Sequence, residues 1–329
     1  MKLLLWGVAI AALIAAGIFM FKPAEEIVIK FSHVVAENTP KGKMANKFKD
    51  LVAERLEGKV KVEVFPNSQL FNDNTVLPAM LLGDVHMAAP SLSKFKKYTP
   101  VLQLYDLPFL FKDMTAVGKF QSSAAGQKML KSMEAKGFLG LGYLHNGLKQ
   151  LSASQALHSP KDADGLKFRI MTSDVLAAQF KAVNATPLKK PFSEVFTLLQ
   201  TKAIDGQENT WSNIFSKKFF EVQPYITESN HGLLDYLIVT SSEFWTSMPA
   251  DVRVEVEKAL TEAIAHGNSV SAEKAVSDRQ KIIDSKRTEL IQLTDAERAQ
   301  WVEAMKPVWN SFAGEIGQDL IDAAAASNQ

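Results

Sequence analysis

Residues 249–290, PADVRVEVEKALTEAIAHGNSVSAEKAVSDRQKIIDSKRTEL, decide the fold. Pro249 suits a first helical position, where the missing N–H costs nothing. Val252, Val256, Ala259, Ala263, Val270 and Ile283 keep roughly helical spacing, so the stretch reads as one long helix. At 1.5 Å per residue it would run about 60 Å, longer than one domain is wide. Such a helix either crosses two lobes or breaks, and Gly267 is where a break is expected. Beyond it, Thr294 and Glu297 form a capping-box signature that opens a last helix through Trp301 and Met305.

Upstream, strands and helices alternate. Ile27 to Ser32 reads as a strand, Lys41 to Leu56 as a helix, and Val60, Val62 and Val64 as a half-buried strand that stops at Pro66-Asn67. Thr75 to Leu82 reads as a helix, Val85 to Ala89 as a strand, Met114 to Lys136 as helical, and Phe138 to Leu144 as a buried strand followed by a turn at Asn146-Gly147. The second half alternates in the same way, with a strand at Leu166 to Met171, helices over Asp174–Val183 and Ser193–Gln200, and a strand at Tyr236 to Thr240. This alternation predicts an α/β fold with parallel sheets covered by helices on both faces.

Leu3 to Phe21 form an almost uninterrupted apolar run behind Lys2 and ahead of Lys22-Pro23. Residues 1–23 therefore read as a secretory signal, or as an N-terminal anchor if uncleaved, and the rest of the chain as exported to the periplasm. Lys+Arg (37) and Asp+Glu (36) nearly cancel, and no basic run is interleaved with aromatics, which argues against nucleic acid as a partner. The sequence contains no cysteine, which excludes disulfides, thiolate metal sites and cysteine nucleophiles. The six histidines show no HExxH or other ligand spacing, so no metal is expected. Gly-x-Ser-x-Gly elbows and phosphate-cradling Gly-Lys-Ser/Thr loops are missing, and Gly140-Leu141-Gly142 lacks the third glycine of a dinucleotide loop. No cofactor and no catalytic residues are expected.

Seven stretches stand in a telling order: Phe31-Ser32-His33-Val34, Pro40-Lys41-Gly42, Pro66-Asn67-Ser68-Gln69-Leu70, Asn146-Gly147-Leu148-Lys149-Gln150, Gly165-Leu166-Lys167-Phe168-Arg169, Phe192-Ser193-Glu194-Val195 and Asp205-Gly206-Gln207-Glu208-Asn209. In this order they resemble the solute-binding subunits of tripartite ATP-independent periplasmic (TRAP) transporters, over about residues 26–310, and most of all the branch that binds four-carbon dicarboxylates. The resemblance implies two α/β lobes with parallel or mixed sheets, joined by crossing strands and spanned by one long helix. We divide the chain accordingly into lobe I, 24–147 plus 235–275, and lobe II, 148–234 plus 276–329.

The resemblance also implies the ligand site. An arginine on a second-lobe strand falls on Arg169, the asparagine of Gly-Gln-Glu-Asn on Asn209, the aromatic before Ser-Glu-Val on Phe192, and a second basic position on Lys149. First-lobe polar contacts fall on Ser91, and His33 and Asp73 lie in segments that border the cleft. Chemistry agrees with these residue types. A guanidinium offers two parallel donors that match a carboxylate. A second cation such as Lys149 suits the second charge of a dianion, because an uncompensated carboxylate is costly in a desolvated cleft. Asn209 supplies both donor and acceptor, and Phe192 could wall a carbon chain. Taken singly, each residue also has a plain reading: Arg169 paired with Asp162 or Asp164, Lys149 solvated, Asn209 capping a turn, Phe192 in the core.

The expected function is capture of a small dicarboxylate of the succinate, fumarate or malate class by lobe closure, with delivery to membrane subunits of a secondary transporter. The protein is expected to be a monomer. Alternatives that stay open are another organic acid (a monocarboxylate or a sugar acid), a binding lobe serving a sensor, and, more remotely, an exported hydrolase or isomerase.

Overall fold

The chain enters its sheet with β1 (Ile27–Ser32), crosses back through α1 (Pro40–Arg55) and returns as β2 (Val60–Phe65), parallel to β1. Thr39 caps α1 by accepting the Gly42 N–H, and Pro40 occupies the first turn, where no N–H is needed. Met44, Phe48, Leu51 and Val52 form the buried stripe of α1 against this pair. The computed structural model describes residues 26–329; the export segment expected at 1–23 lies outside the described residues.

After α2 (Val76–Leu81) comes β3 (Met87–Ala88), shorter than the strand expected over Val85–Ala89. The helical stretch expected over Met114–Lys136 is two helices, α3 (Met114–Ser122) and α4 (Ala124–Leu130). The break falls on Ser123, whose extended backbone ends one helix while its hydroxyl accepts the Gly126 N–H to start the next.

The largest departure concerns β4 (Phe138–Ala153), which runs straight through the turn expected at Asn146-Gly147. Gly147, at φ 117, forms an irregularity there. Pairing resumes on both sides, with Leu144 opposite Tyr236 and Gly147 opposite Leu234, so the strand bends without reversing. Next follow β5 (Lys167–Ile170), α5 (Asp174–Ala182), β6 (Thr186–Lys189), α6 (Val195–Gln200), β7 (Gly206–Asn209), α7 (Trp211–Ser216) and β8 (Tyr225–Ser241). Asn209 thus ends a strand and caps no turn. The chain closes with α8 (Ser242–Ser247), α9 (Ala250–Ser285), β9 (Glu289–Gln292), α10 (Asp295–Met305), α11 (Val308–Ile316) and α12 (Gln318–Ala326).

The strands join one mixed sheet in the order β2-β1-β3-β8-β4-β7-β5-β6, with β9 also on β8. β3 pairs with Thr240 and Val239 at one end of β8, while β7 pairs with Gln150–Ala153 at the opposite end of the antiparallel β4–β8 ribbon. At about 3.3 Å per residue each ribbon strand is roughly 50 Å long, so both pass through the two halves. The sheet is mixed where parallel pairing alone was expected from the alternation, because these two crossing strands are antiparallel to each other.

α9 runs unbroken for 36 residues. Gly267 does not break it. A Cβ there would lie 2.7 Å from Leu144 Cδ1 and 2.8 Å from Met44 Cβ, so the glycine lets α9 seat closely on α1 and β4. α12 packs with the first lobe, and α11 straddles the division drawn above, since it also rests on α5 of the second lobe. Val308, Ile316, Ile321 and Ala324 pack in the cluster of Leu104, Phe111 and Phe120, and Trp309 donates to the Pro108 carbonyl, all first-lobe residues. Short amphipathic helices show which face is buried but not which core receives it.

Candidate ligand site

Arg169 stands near the carboxyl end of β5, where the strand gives way to the loop leading to α5. Its side chain is 2% exposed, and Nε donates to the Lys190 carbonyl at 3.0 Å. No carboxylate lies within ion-pair distance among the described residues, which removes the surface pairing with Asp162 or Asp164. Asp162 instead caps the turn at Ser159, and Asp164 accepts from Asn184. Burial lowers the Arg169 pKa to about 10, with Glu208 and Asp73 acting in the opposite direction. The guanidinium carbon sits 5.9 Å from the centre of the Phe192 ring.

This guanidinium faces a narrow cavity between the halves. Arg169, Asn209 and Phe192 line one side and Ser91 and Asp73 the other, so five of the seven expected residues share one cavity. The Asn209 side-chain oxygen accepts from Asn213 Nδ2 at 2.8 Å and from the Thr210 N–H, which leaves the amide donors free. Leu234 and Tyr236 of β8 form the back wall. The Tyr236 hydroxyl accepts from Asn146 and Asn213, so its position is fixed from behind.

Lys149 and His33 are not among the lining residues. Lys149 is fully buried, with Nζ 2.8 Å from Glu208 Oε2. The same oxygen accepts from His231 Nε2 at 2.9 Å, and His231 Nδ1 accepts from the Ser229 hydroxyl at 2.8 Å. Burial pushes the Glu208 carboxyl up, but Lys149 and His231 outweigh it and hold the pKa at about 2. Burial also holds the His231 pKa below its ordinary value, which keeps the ring neutral. The charge of Lys149 is therefore answered inside the protein. His33 is buried, and burial together with Lys41 lowers its pKa to about 3.

Two cations missed in the sequence stand close to this cavity. Lys94 lines it, and burial lowers its pKa to about 8. Lys41 donates to the Ala89 carbonyl at 2.7 Å and lies 3.5 Å from the centre of the Tyr236 ring, with its pKa also lowered by burial to about 8. A signal for Lys41 existed, since it falls on the same helical face as Met44, Ala45 and Phe48, where a lysine needs a reason. Lys94, in Leu-Ser-Lys-Phe, carried no such mark.

Four contacts join the two halves around the mouth. Thr172 donates to Asn74 Oδ1 at 3.1 Å, Lys94 Nζ donates to Thr172 Oγ1 at 3.2 Å, Lys96 pairs with Asp174, and Lys217 donates to Asn67 Oδ1 at 3.2 Å. The cleft is thus closed. A buried, unpaired guanidinium beside further cations and free amide donors is suited to hold a small anion rather than to activate one.

The chain matches the family model described as bacterial extracellular solute-binding protein, family 7, over residues 31–315. It is 66% identical to the C4-dicarboxylate-binding periplasmic protein DctP of Shewanella loihica over 321 residues, 98% of this chain and 95% of that protein. Among solved structures, a TRAP periplasmic solute-binding protein from Shewanella oneidensis with bound succinate superposes with a TM-score of 0.92 at 63% identity, covering 92% of this chain and 100% of the other. One from Pseudomonas aeruginosa with bound L-malate gives 0.85 at 46% identity, covering 87% and 99%.

Proposed function

This chain belongs to the family 7 bacterial extracellular solute-binding proteins, the binding subunits of TRAP transporters, and from that premise we propose that it captures a four-carbon dicarboxylate in the Arg169 cavity. The family binds solutes for transporters and catalyses no reaction. The relatives that hold succinate and L-malate support the ligand class. The observation that carries it is Arg169 itself: a guanidinium buried to 2% exposure with no acid partner among the described residues. Leaving a charge buried and unpaired is expensive, and a ligand carboxylate removes that cost.

One ligand carboxylate would engage Arg169, with Asn209 donating from β7. The other would face Lys94, with Lys41 adding positive field through the Tyr236 wall. We assign this second role to Lys94 and Lys41 in place of Lys149, whose charge is answered by Glu208. Phe192 and Leu234 would flank the carbon chain, Ser91 would donate from the first lobe, and Asp73 would offer an acceptor for a ligand hydroxyl such as that of malate. The relatives at 63% and 46% identity hold four-carbon acids, which favours a short unbranched acid over a sugar acid. One chain supplies both walls, which supports a monomer, and its work lies outside the cytoplasmic membrane, in the periplasm, delivering ligand to the TRAP membrane subunits.

Calorimetric titration of the purified protein tests the reading. Succinate, fumarate and malate should bind, and acetate, gluconate and glutamate should not. Binding confined to monocarboxylates or sugar acids would keep the family and discard the ligand class.

A further inference from the structure

Lys94 touches two spaces at once. It lines the inner cavity together with Arg169, and it also lines the outer mouth together with Lys96, Asp174 and Lys189. Asp73 and Asn74 are the other residues common to both, so this short segment forms the sill between them. The sill is closed by a triangle of hydrogen bonds. Lys94 Nζ donates to Asn74 Oδ1 at 2.9 Å and to Thr172 Oγ1 at 3.2 Å, and the Thr172 hydroxyl donates to the same Asn74 oxygen at 3.1 Å. Two corners come from the first lobe and the third from the loop after β5, only three residues beyond Arg169.

An ammonium has three donors. The triangle uses two, and the third makes no hydrogen bond among the described residues, although the Asp73 carboxylate lies close by. We propose that Lys94, Asn74 and Thr172 form a latch that the ligand completes. A carboxylate in the cavity takes the third Lys94 donor, fixes the ammonium at the sill, and so strengthens the two bonds that hold Thr172 across the cleft. This rests on reading the cavity as a carboxylate site and adds to it how closure is sensed. With the cavity empty, the lysine is free to turn toward water and the triangle loses two of its three edges. With ligand present, opening must break the triangle before the ligand can leave. Thr172 is thus a positioning residue. It acts on ligand retention through Lys94 and leaves encounter untouched, since an open cleft has no triangle.

The test is stopped-flow release and association of succinate by wild type, Thr172→Val, Thr172→Ser and Asn74→Ala. Thr172→Val should release succinate about five- to tenfold faster, the scale of one to two modest hydrogen bonds. Association should stay within about twofold, since mutations within one interface act mostly on dissociation. Thr172→Ser should recover the wild-type rate, and Asn74→Ala should behave like Thr172→Val. In a Lys94→Met background Thr172→Val should speed release by no more than about twofold, since only the Thr172–Asn74 edge is left to lose. Release by Thr172→Val at the wild-type rate, or additive effects with Lys94→Met, overturns the latch. Wild type that binds no dicarboxylate overturns instead the reading beneath it, and the two failures are distinct.

Discussion

The ammonium of Lys149 lies 2.8 Å from the carboxylate of Glu208, and neither side chain reaches solvent. The pair ties β4 to β7, and His231 ties it to β8, so three neighbouring strands of the crossing region share one ionic centre. Removing one partner of such a pair strands the other charge in a dry interior. Glu208→Gln should therefore cost about 3–5 kcal/mol in urea unfolding. Adding Lys149→Met should recover most of that loss, because the stranded charge goes with it.

The same centre gives the protein an acid limit. Glu208 has a folded pKa of about 2 against an ordinary 4.5. The unfolded chain takes up the proton first, so its contribution is complete above about pH 4.5 and is lost as pH falls from 4.5 toward 2. Unfolding free energy measured over that range should slope more steeply in wild type than in Glu208→Gln.

Arg169 should separate binding from stability. Arg169→Ala should weaken succinate at least about 100-fold in calorimetry, the loss of two charge-assisted bonds. The unliganded protein should melt no lower than wild type, since a buried unpaired charge leaves with the side chain. The melting shift on adding succinate should disappear.

Lys41 and Lys94 set an alkaline signature. Each has a folded pKa of about 8 against 10.5 when solvated. Below about pH 8 both states hold the proton, and the cost of burying it is felt in full. Above it the native protein releases the proton while the unfolded chain keeps it, so stability from these groups rises with pH up to about 10.5. Ligand affinity moves the other way, because a neutral lysine offers a dianion no charge. Melting scans with and without succinate should show the ligand-induced shift shrinking between about pH 8 and 9.5; a constant shift would remove these lysines from the site.

Gly267→Ala tests the seat of α9. Alanine is favoured over glycine within a helix by about 1 kcal/mol. Here its Cβ would stand 2.7 Å from Leu144 and 2.8 Å from Met44. Overpacking of about 1–3 kcal/mol should outweigh the helical gain and lower the melting temperature.

Much of this architecture was legible from local pattern. The alternation of Val60, Val62 and Val64 gives β2, and the spacing from Val252 to Ile283 gives α9, because periodicity is a local property. Ordered motifs pointed to Arg169, Asn209 and Phe192, and the resemblance they carry to Ser91 and Asp73, and all five line one cavity. Lys149 escaped because its partner lies 59 residues away in the chain, on β7, and because irregular pairing on both sides of it blurs which face it presents. Gly147 looked like a turn because positive φ serves bulges as well as reversals. Whether α11 and α12 cover one half or the other depends on distant cores that no window of sequence contains.

The sheet order fixes when the molecule can finish folding. β3 pairs with β8 across about 150 residues of intervening chain, and β8 in turn completes β4, which completes β7. Neither half owns the ribbon that both require. A chain truncated before Val239 leaves the edge of β3 open to pair with whatever strand it meets, the usual beginning of aggregation. Contacts of such long range are slow to form. The polypeptide therefore cannot close its sheet until β8 has been made, and a chain that stops short of it lacks the strand that both halves share.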